Sequence, residues 1–466
     1  MIESSSADRV LSSLRPWVLA RAPGTRLPST RSLVATHEVS PVTVQHALRR
    51  LVAEGLVETR PGSGSFVAAR PRAASRETGW QTAALGPGRP LLDRSAAGVR
   101  PLAPHVVRLS SGYLAPDLLP ESLVAAALAR AVRVPAGLEA APPSGLPSLR
   151  EALAADVVRA APRSAVTADE VVVASGGQAG LVSTLRALTT PGDTVVMEAP
   201  TYWGAIAAAL DAGLRIAPVA TGPDGPDPDE VGRVVGEHGA RVLYVQATYG
   251  NPHGGCWSDE RRRALVALAE RRGLFVVDDD WARDLSLTGA PPPPLLDLDQ
   301  HGHVVHLRSL TKSMGPSMRV AGVIARGPAL QRIRNSRWVS DLFVPAFLQL
   351  AAADVLSRPD WQRHLARLPR ELARREAALS AALASCAPGL QVRHRPRGGV
   401  GLWCTAPTGI GPDELAMRCL HDEVAISPAS DWYPAEAAGP HLRLSFTAAD
   451  PAQFERAAQT IQTHLA

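Results

Sequence analysis

The sequence predicts a multidomain chain. A winged helix-turn-helix spans residues 1–68, a linker 69–108, and an α/β body 109–466 whose last part, from about residue 360, is a smaller α+β domain. Three observations predict it. Helix, short turn, helix and a glycine-tipped hairpin follow one another within the first 68 residues. Short apolar runs then alternate with amphipathic helical segments, the pattern of a buried, mostly parallel sheet covered by helices. Beyond residue 360 a long helical pattern leads into well-separated strand runs. At 466 residues the chain is also too long for one average domain.

Composition narrows the class. Hydrophobic residues make up 45%, enough for a large core. No apolar run is long and clean enough to span a bilayer, and the first residues lack a basic-then-apolar leader. Cys256, Cys386, Cys404 and Cys419 are scattered without metal spacing. These features predict a cytoplasmic chain with reduced thiols, no metal and no membrane partner. The net charge is +5, and residues 1–70 hold nine arginines against five acids. The positive excess therefore sits at the N-terminus, as in a polyanion-binding module joined to a near-neutral body.

Arg9 to Leu19 reads as a helix, with Pro16 as a local conflict. Pro23-Gly24 is a turn, and Ser29 caps a helix from about Thr30 to His37. Ser40 caps the next, with Pro41 in its first turn, running to about Glu54 before Gly55. Val44, Ala47, Leu48, Leu51 and Val52 form its apolar face; Thr43, Gln45, His46 and Arg49 lie largely off it. Val57–Arg60 and Ser65–Val67 flank Pro61-Gly62-Ser63-Gly64 as a hairpin. In such a fold the second helix enters a major groove of double-stranded DNA and the wing touches the backbone or minor groove. The run PGTRLPSTRSLVATHEVSPVTVQHALRRLVAEGLVETRPGSGSFV closely resembles the DNA-binding domain of the GntR superfamily of bacterial regulators. The resemblance implies operator contacts from Arg31, Ser40, Thr43, Gln45 and the wing from Gly62 to Gly64. It departs at Pro41-Val42, where many members carry Arg-Thr.

Residues 69–108 are rich in Ala, Arg, Gly and Pro without a sustained period, and read as a tether with a short ordered piece near Trp80 to Leu85. Strands are expected at Val171–Ala174, Thr194–Met197, Val242–Val245, Phe275–Val277, Val304–Leu307 and Val320–Ile324. Ser258 to Arg272 is one of the helices between them. A helix over Trp361 to Leu383 precedes strands near Gly399–Thr405 and Leu442–Phe446.

Lys312 is the only lysine among 49 basic residues. Arginine stays protonated in proteins, whereas a lysine amine can deprotonate and attack a carbonyl. Lys312 is therefore expected to form a Schiff base with pyridoxal phosphate (PLP); a lysine surviving by chance on the surface is the competing account. Ser309 and Arg319 flank it and suit phosphate oxygens. Ser175-Gly176-Gly177-Gln178 follows a strand and opens a helix, so its N–H groups can cradle a phosphate, although a plain tight turn has the same signature. Asp278-Asp279-Asp280 is either a metal site or one buried acid with neighbours on the opposite face. A PLP ring needs one carboxylate at its nitrogen, and Asp279 is assigned to it. Asn251 can reach the cofactor's phenolic oxygen, and Tyr202 can stack on the ring or simply fill core. Arg443, inside a strand, suits the carboxylate of an amino acid.

The motifs SGYLAPDLLP, GLPSLREALA, EAPTYWG, NPHGG, VVDDDWARDL, SLTKSMGPSMRVAGVI and RLSFT resemble, in order and spacing, those of fold-type I PLP aminotransferases. That resemblance implies the same roles for Lys312, Asp279, Asn251, Tyr202, Ser175 to Gln178, Ser309, Arg319 and Arg443. Head and body together resemble the MocR-type regulators, which implies a head-to-tail homodimer, PLP, a DNA operator and an amino-acid or amine effector. Two positions depart from the enzymes: Ala282 stands where a tyrosine often touches the phenolic oxygen, and Glu139–Pro143 lacks a tyrosine that usually reaches the second subunit's phosphate. A PLP-dependent transcriptional regulator is the expected function, and an active aminotransferase with a DNA-binding tail the alternative.

Overall fold

Two serine caps set the helix boundaries of the N-terminal unit. The computed structural model describes residues 6–69, 80, 81, 84 and 101–465, which fall into two units, Met1–Gly88 and Arg89–Ala466. Helix α1, Ser6–Leu19, continues through Pro16 because Val10, Leu11, Leu14 and Val18 bury its inner face. Helix α2, Thr30–His37, starts at Ser29, whose hydroxyl accepts from Ser32 N at 3.2 Å. Helix α3, Pro41–Ala53, is capped by Ser40 in the same way through Thr43 N, with Pro41 needing no partner for its missing N–H. Strands β1, Val57–Arg60, and β2, Gly64–Val67, pair antiparallel from Val57↔Val67 to Arg60↔Gly64. Gly62 turns the hairpin at φ +74°, a region that L side chains rarely adopt. Val44, Ala47 and Leu51 of α3 pack with Leu33, Val57 and the inner face of α1. Arg15 pairs with Glu54 at 2.7 Å on the half-exposed rim, a contact that contributes at most about 1 kcal/mol. The unit therefore stands on apolar packing and caps.

In the span read as a tether, Trp80, Gln81 and Ala84 have helical backbone, and most of the remainder lies outside the described residues. The last part of that span belongs to the body. Strand β3, Val107–Arg108, pairs parallel with a strand of the C-terminal domain, Val424–Ala425.

The body opens with helices α4, Glu121–Ala131, and α5, Pro147–Ala160. Strands β4, Val171–Ala174; β5, Thr194–Ala199; β6, Arg215–Ala220; β7, Val242–Val245; β8, Phe275–Asp280; and β9, Val304–Ser309, follow. Helices α6, Gly177–Leu188; α7, Trp203–Asp211; α8, Pro228–His238; and α9, Asp259–Arg272, connect them. After β9 come the single turn α10, Thr311–Met314, strand β10, Ala321–Ile324, and helices α11, Gly327–Asp341, and α12, Ala346–Ser357. The seven strands form one sheet in the order β4-β10-β9-β8-β7-β5-β6. Only β10 runs antiparallel, to both β4 and β9. The expected mostly parallel sheet is thus present, with apolar cores on both faces. Strand β6 has no counterpart in the sequence reading: it is an edge strand with Pro218 in it and alternating burial, so it lacks a continuous apolar run.

Helix α13, Pro359–Cys386, crosses to the small domain and is longer than the expected Trp361–Leu383. There β11, Gln391–Val392; β12, Gly401–Thr405; β14, Ser427–Pro428; and β15, His441–Ser445, form an antiparallel sheet in the order β11-β12-β15-β14. Helices α14, Pro412–His421, and α15, Phe454–Leu465, complete it, with β13, Val424–Ala425, paired to β3. No helix among the described residues is long and apolar enough to cross a membrane.

Candidate functional site

The carboxyl ends of parallel strands in an open α/β sheet point their following residues into one crevice. Here that crevice is a cavity of about 400 Å³ reached by Tyr202, Gln246, Asn251, Asp279, Ser309 and Lys312. Strand alternation sends Asp279 to the cavity and its neighbours Asp278 and Asp280 to the other face, where both meet His306.

Lys312 lies on the single turn α10 and donates from Nζ to Gly112 O at 2.8 Å. Desolvation, then the positive charges of Arg443 and Arg319, lower its pKa to about 7, with Asp279 opposing. A large share of the amine is therefore neutral and nucleophilic near neutral pH. The turn is anchored from beneath: Ser313 Oγ donates to Asp284 at 2.6 Å, and Asp284 pairs with the buried Arg308 at 2.8 Å.

Asp279 accepts at Oδ2 from Tyr244 Oη at 2.7 Å and Gln246 Nε2 at 3.0 Å. Burial raises its pKa to about 6 against those two bonds. A cationic N–H facing it would recover the ionised form, as a pyridinium nitrogen does. Gln246 also accepts Asn251 N through Oε1 at 3.0 Å, so one amide ties the acid to the Asn251 loop. Asn251 Oδ1 in turn accepts from Arg443 Nη1 at 3.1 Å, and Arg443 Nη2 donates to Ser110 O at 2.6 Å. Arg443 is 3% exposed, and its Nε has no hydrogen-bond partner among the described residues. Burial lowers its pKa to about 10, which still leaves it cationic. An incoming carboxylate would meet an orphaned buried donor there.

Behind the opposite wall, which Gly177 and Gln178 line, Gly176 sits at φ +87°, and a Cβ on it would stand 2.6 Å from Arg319 Nη2. Gly177 and Gln178 open α6 beside Ser309 and Arg319, so exposed helix N–H groups, a hydroxyl and a guanidinium converge. This cradle fits a phosphate monoester, and with Lys312 and Asp279 the whole set fits PLP. Ser175 is placed differently from the expectation: its hydroxyl donates to Asp341 of α11 and does not line the cavity, while its carbonyl accepts from Arg319 Nη2 at 3.3 Å. The cause is an acid 166 residues away in sequence.

Tyr202 lines the cavity half-buried, its centroid 5.4 Å from the Trp203 ring; burial and then the Asp279 charge push its pKa up. Tyr244, Gln246, Tyr113 and Trp281 complete the site without having been singled out by sequence. Tyr244 was hidden inside an apolar strand, although its parity matches that of Asp279 on the neighbouring strand. Ala282 is buried in the small-domain core and presents no hydroxyl.

In the N-terminal unit Arg31, Ser40, Gln45, His46, Arg49, Gly62 and Gly64 are exposed, and Thr43 is half-buried under the Ser40 hydroxyl at 2.8 Å. Gln45, His46 and Arg49 share the outer face of α3, opposite Val44, Ala47 and Leu51.

Comparison with known proteins agrees with this division. Residues 7–67 match the bacterial regulatory proteins of the gntR family, and residues 104–461 match aminotransferase class I and II. An uncharacterized HTH-type transcriptional regulator of Escherichia coli, YdcR, is 29% identical over 418 residues, 87% of each chain. A 2-aminoadipate transaminase of Thermus thermophilus is 31% identical over 353 residues, 74% of this chain and 87% of its own. The crystal structure of the α-aminoadipate aminotransferase LysN from Thermus thermophilus, complexed with N-(5'-phosphopyridoxyl)-L-leucine, superposes with a TM-score of 0.73 at 28% identity, covering 80% of this chain and 96% of that one. The chain therefore belongs to the aminotransferase class I and II family, joined at its N-terminus to a gntR-family DNA-binding domain.

Proposed function

We propose that the chain is a cytoplasmic transcriptional regulator whose body holds PLP on Lys312 and responds to an amino compound. The observation that carries this reading is the placement of the chain's single lysine: its amine, with a pKa lowered to about 7, shares one cavity with Asp279 and with the Arg319 phosphate cradle. When bound, PLP supplies an electrophilic carbonyl carbon on a ring that withdraws electrons. The chain's own residues do the rest. Lys312 anchors the carbonyl end, Asp279 keeps a proton on the ring nitrogen, and Asn251 reaches the phenolic oxygen. Tyr202 covers the ring, and Gly176 to Gln178, Ser309 and Arg319 take the phosphate. Arg443 takes a carboxylate from the amino compound. In the head, Arg31, Ser40, Thr43, Gln45, His46, Arg49 and the Gly62–Gly64 wing contact the operator, and a head-to-tail homodimer presents two such heads.

An effector shifts DNA binding only through a difference in its affinity for two states of the protein. The test is binding of the full chain to duplex DNA flanking its own coding sequence, with and without PLP, for wild type and Lys312→Ala. PLP is expected to change the affinity of the wild type and leave the variant unaffected. Equal DNA affinity under all four conditions would contradict the reading. Turnover is a second reading, favoured by the intact Lys312–Asp279 pair and disfavoured by Ala282; amino-group transfer from L-glutamate to an oxo acid would establish it.

A further inference from the structure

Three aromatic rings stand at the two ends of the span from Lys312 to Arg443. The Tyr113 centroid lies 4.0 Å from Lys312 Nζ and the Trp281 centroid 5.6 Å from it. At the other end the Arg443 guanidinium stacks over the Trp432 ring at 4.5 Å. Aromatic residues make up only 4% of the chain, so three rings on one short passage are a concentration that composition does not explain.

The passage also has a length. A Cβ added to Gly112 would stand 3.6 Å from Lys312 Nζ and 3.8 Å from Arg443 Nη1, so the two nitrogens are separated by no more than the sum, 7.4 Å. In an α-amino acid the amine nitrogen and the carboxylate oxygen are roughly 3 Å apart on standard bond lengths. A charge-assisted bond to the guanidinium adds about 2.8 Å, which gives about 6 Å in all. That fits inside the limit.

We propose that the effector is an α-amino carboxylate with an aromatic side chain, its amine at the Lys312 position, its carboxylate on Arg443 and its ring against Tyr113 and Trp281. This rests on the reading that Lys312 holds PLP, and it names the class of compound that the same site accepts. The Trp432 face is already covered by Arg443, so of these three rings Tyr113 and Trp281, both on the cavity, remain to receive a side chain. Tyr113 is 37% exposed and offers that surface to the cavity it lines. Two aromatic groups in offset contact attract beyond the effect of their buried area.

The experiment is an absorbance titration of the PLP-loaded full chain with L-phenylalanine, L-alanine, L-aspartate, 4-aminobutyrate and phenethylamine. L-Phenylalanine is expected to bind at least about tenfold tighter than each of the others, the size of discrimination that a shaped apolar pocket supplies. Tyr113→Ala is expected to narrow the ratio of phenylalanine to alanine affinity severalfold, and Tyr113→Phe to keep it. L-Aspartate or 4-aminobutyrate binding as tightly as L-phenylalanine would overturn the proposal and leave PLP binding standing. A Tyr113→Ala protein that keeps the full ratio would overturn the placement of the ring. Absence of any Lys312-dependent PLP band would overturn the underlying reading, and this proposal with it.

Discussion

The two folded units differ in their arginines: every described arginine of the head is exposed, whereas the body has exposed arginines and also buries several. In the head Arg31 and Arg49 are exposed, and Arg15 and Arg50 make half-exposed pairs with Glu54 and Asp8. In the body Arg262, Arg308, Arg337 and Arg443 are each at most 3% exposed. Arg262 donates to the carbonyls of Trp257, Pro293 and Ala247; Arg337 donates to Val173 O and pairs with Asp341. Exposed arginine acts through a screened field and is free to meet a polyanion. Buried arginine must have its donors satisfied at home, so it holds the fold or awaits a ligand. A composition that writes nearly every positive charge as arginine thus hides three jobs under one letter, and only position separates them.

The largest break in this comparison is Arg308→Met. It leaves the buried Asp284, now paired with Arg308 at 2.8 Å, without its cation, and takes from Asp156 a 2.9 Å contact, leaving it, among the described residues, only the exposed Arg159. Unfolding free energy is expected to fall by about 3–5 kcal/mol in urea. A loss below about 1 kcal/mol would show that the pair does not hold the sheet. Next is Arg443→Met, which removes the carboxylate's charge-assisted bonds. The dissociation constant of a carboxylate-bearing amino acid is expected to rise by about 2–3 kcal/mol equivalent, while PLP capture persists. An amine lacking a carboxylate should not distinguish the two proteins.

The pH dependence of PLP capture sharpens the contrast between the buried lysine and an ordinary one. Lys312 has its pKa lowered to about 7, so its reactive neutral form is suppressed below that pH and saturates above it. The capture rate is expected to rise about tenfold from pH 6 to pH 8 and then level. A continued rise past pH 9 would mean a lysine that titrates normally. The smallest effect belongs to the head. Arg49→Ala is expected to leave stability within about 0.5 kcal/mol and to lower the salt-dependence slope of DNA binding by about 1. A clear loss of stability would give Arg49 a structural role.

The same contrast explains what was legible in sequence. The head is local: Ser29, Ser40, Pro41 and the hairpin glycines each act within a few residues of themselves, so caps, turns and strands could be placed to within a residue or two. The strands of the seven-stranded sheet were legible as apolar runs, except β6, whose Pro218 and edge position break the run. Lys312, Asp279, Asn251 and Arg443 stood out as polar residues at or within strands; the structure links Asp279, Asn251 and Arg443 through Gln246 in one hydrogen-bond network and sets Lys312 on the same cavity as Asp279 and Asn251. Tyr113, Tyr244 and Trp281 did not, because an aromatic residue carries the same signal in sequence whether it fills core or faces a cavity. The Ser175–Asp341 bond and the β3–β13 pair join residues far apart in sequence and left no local trace.

The measurement that bears most directly on the central claim is reductive trapping. The full chain is incubated with PLP, reduced with borohydride, digested and mapped by mass, alongside Lys312→Ala. A single phosphopyridoxyl adduct on Lys312, absent from the variant, is the predicted result. The chain holds no other lysine, so no second side-chain amine competes for the label. Correctly folded wild-type protein that binds no PLP and carries no adduct would contradict the account; the body would then be a scaffold that keeps the fold of its family without the cofactor.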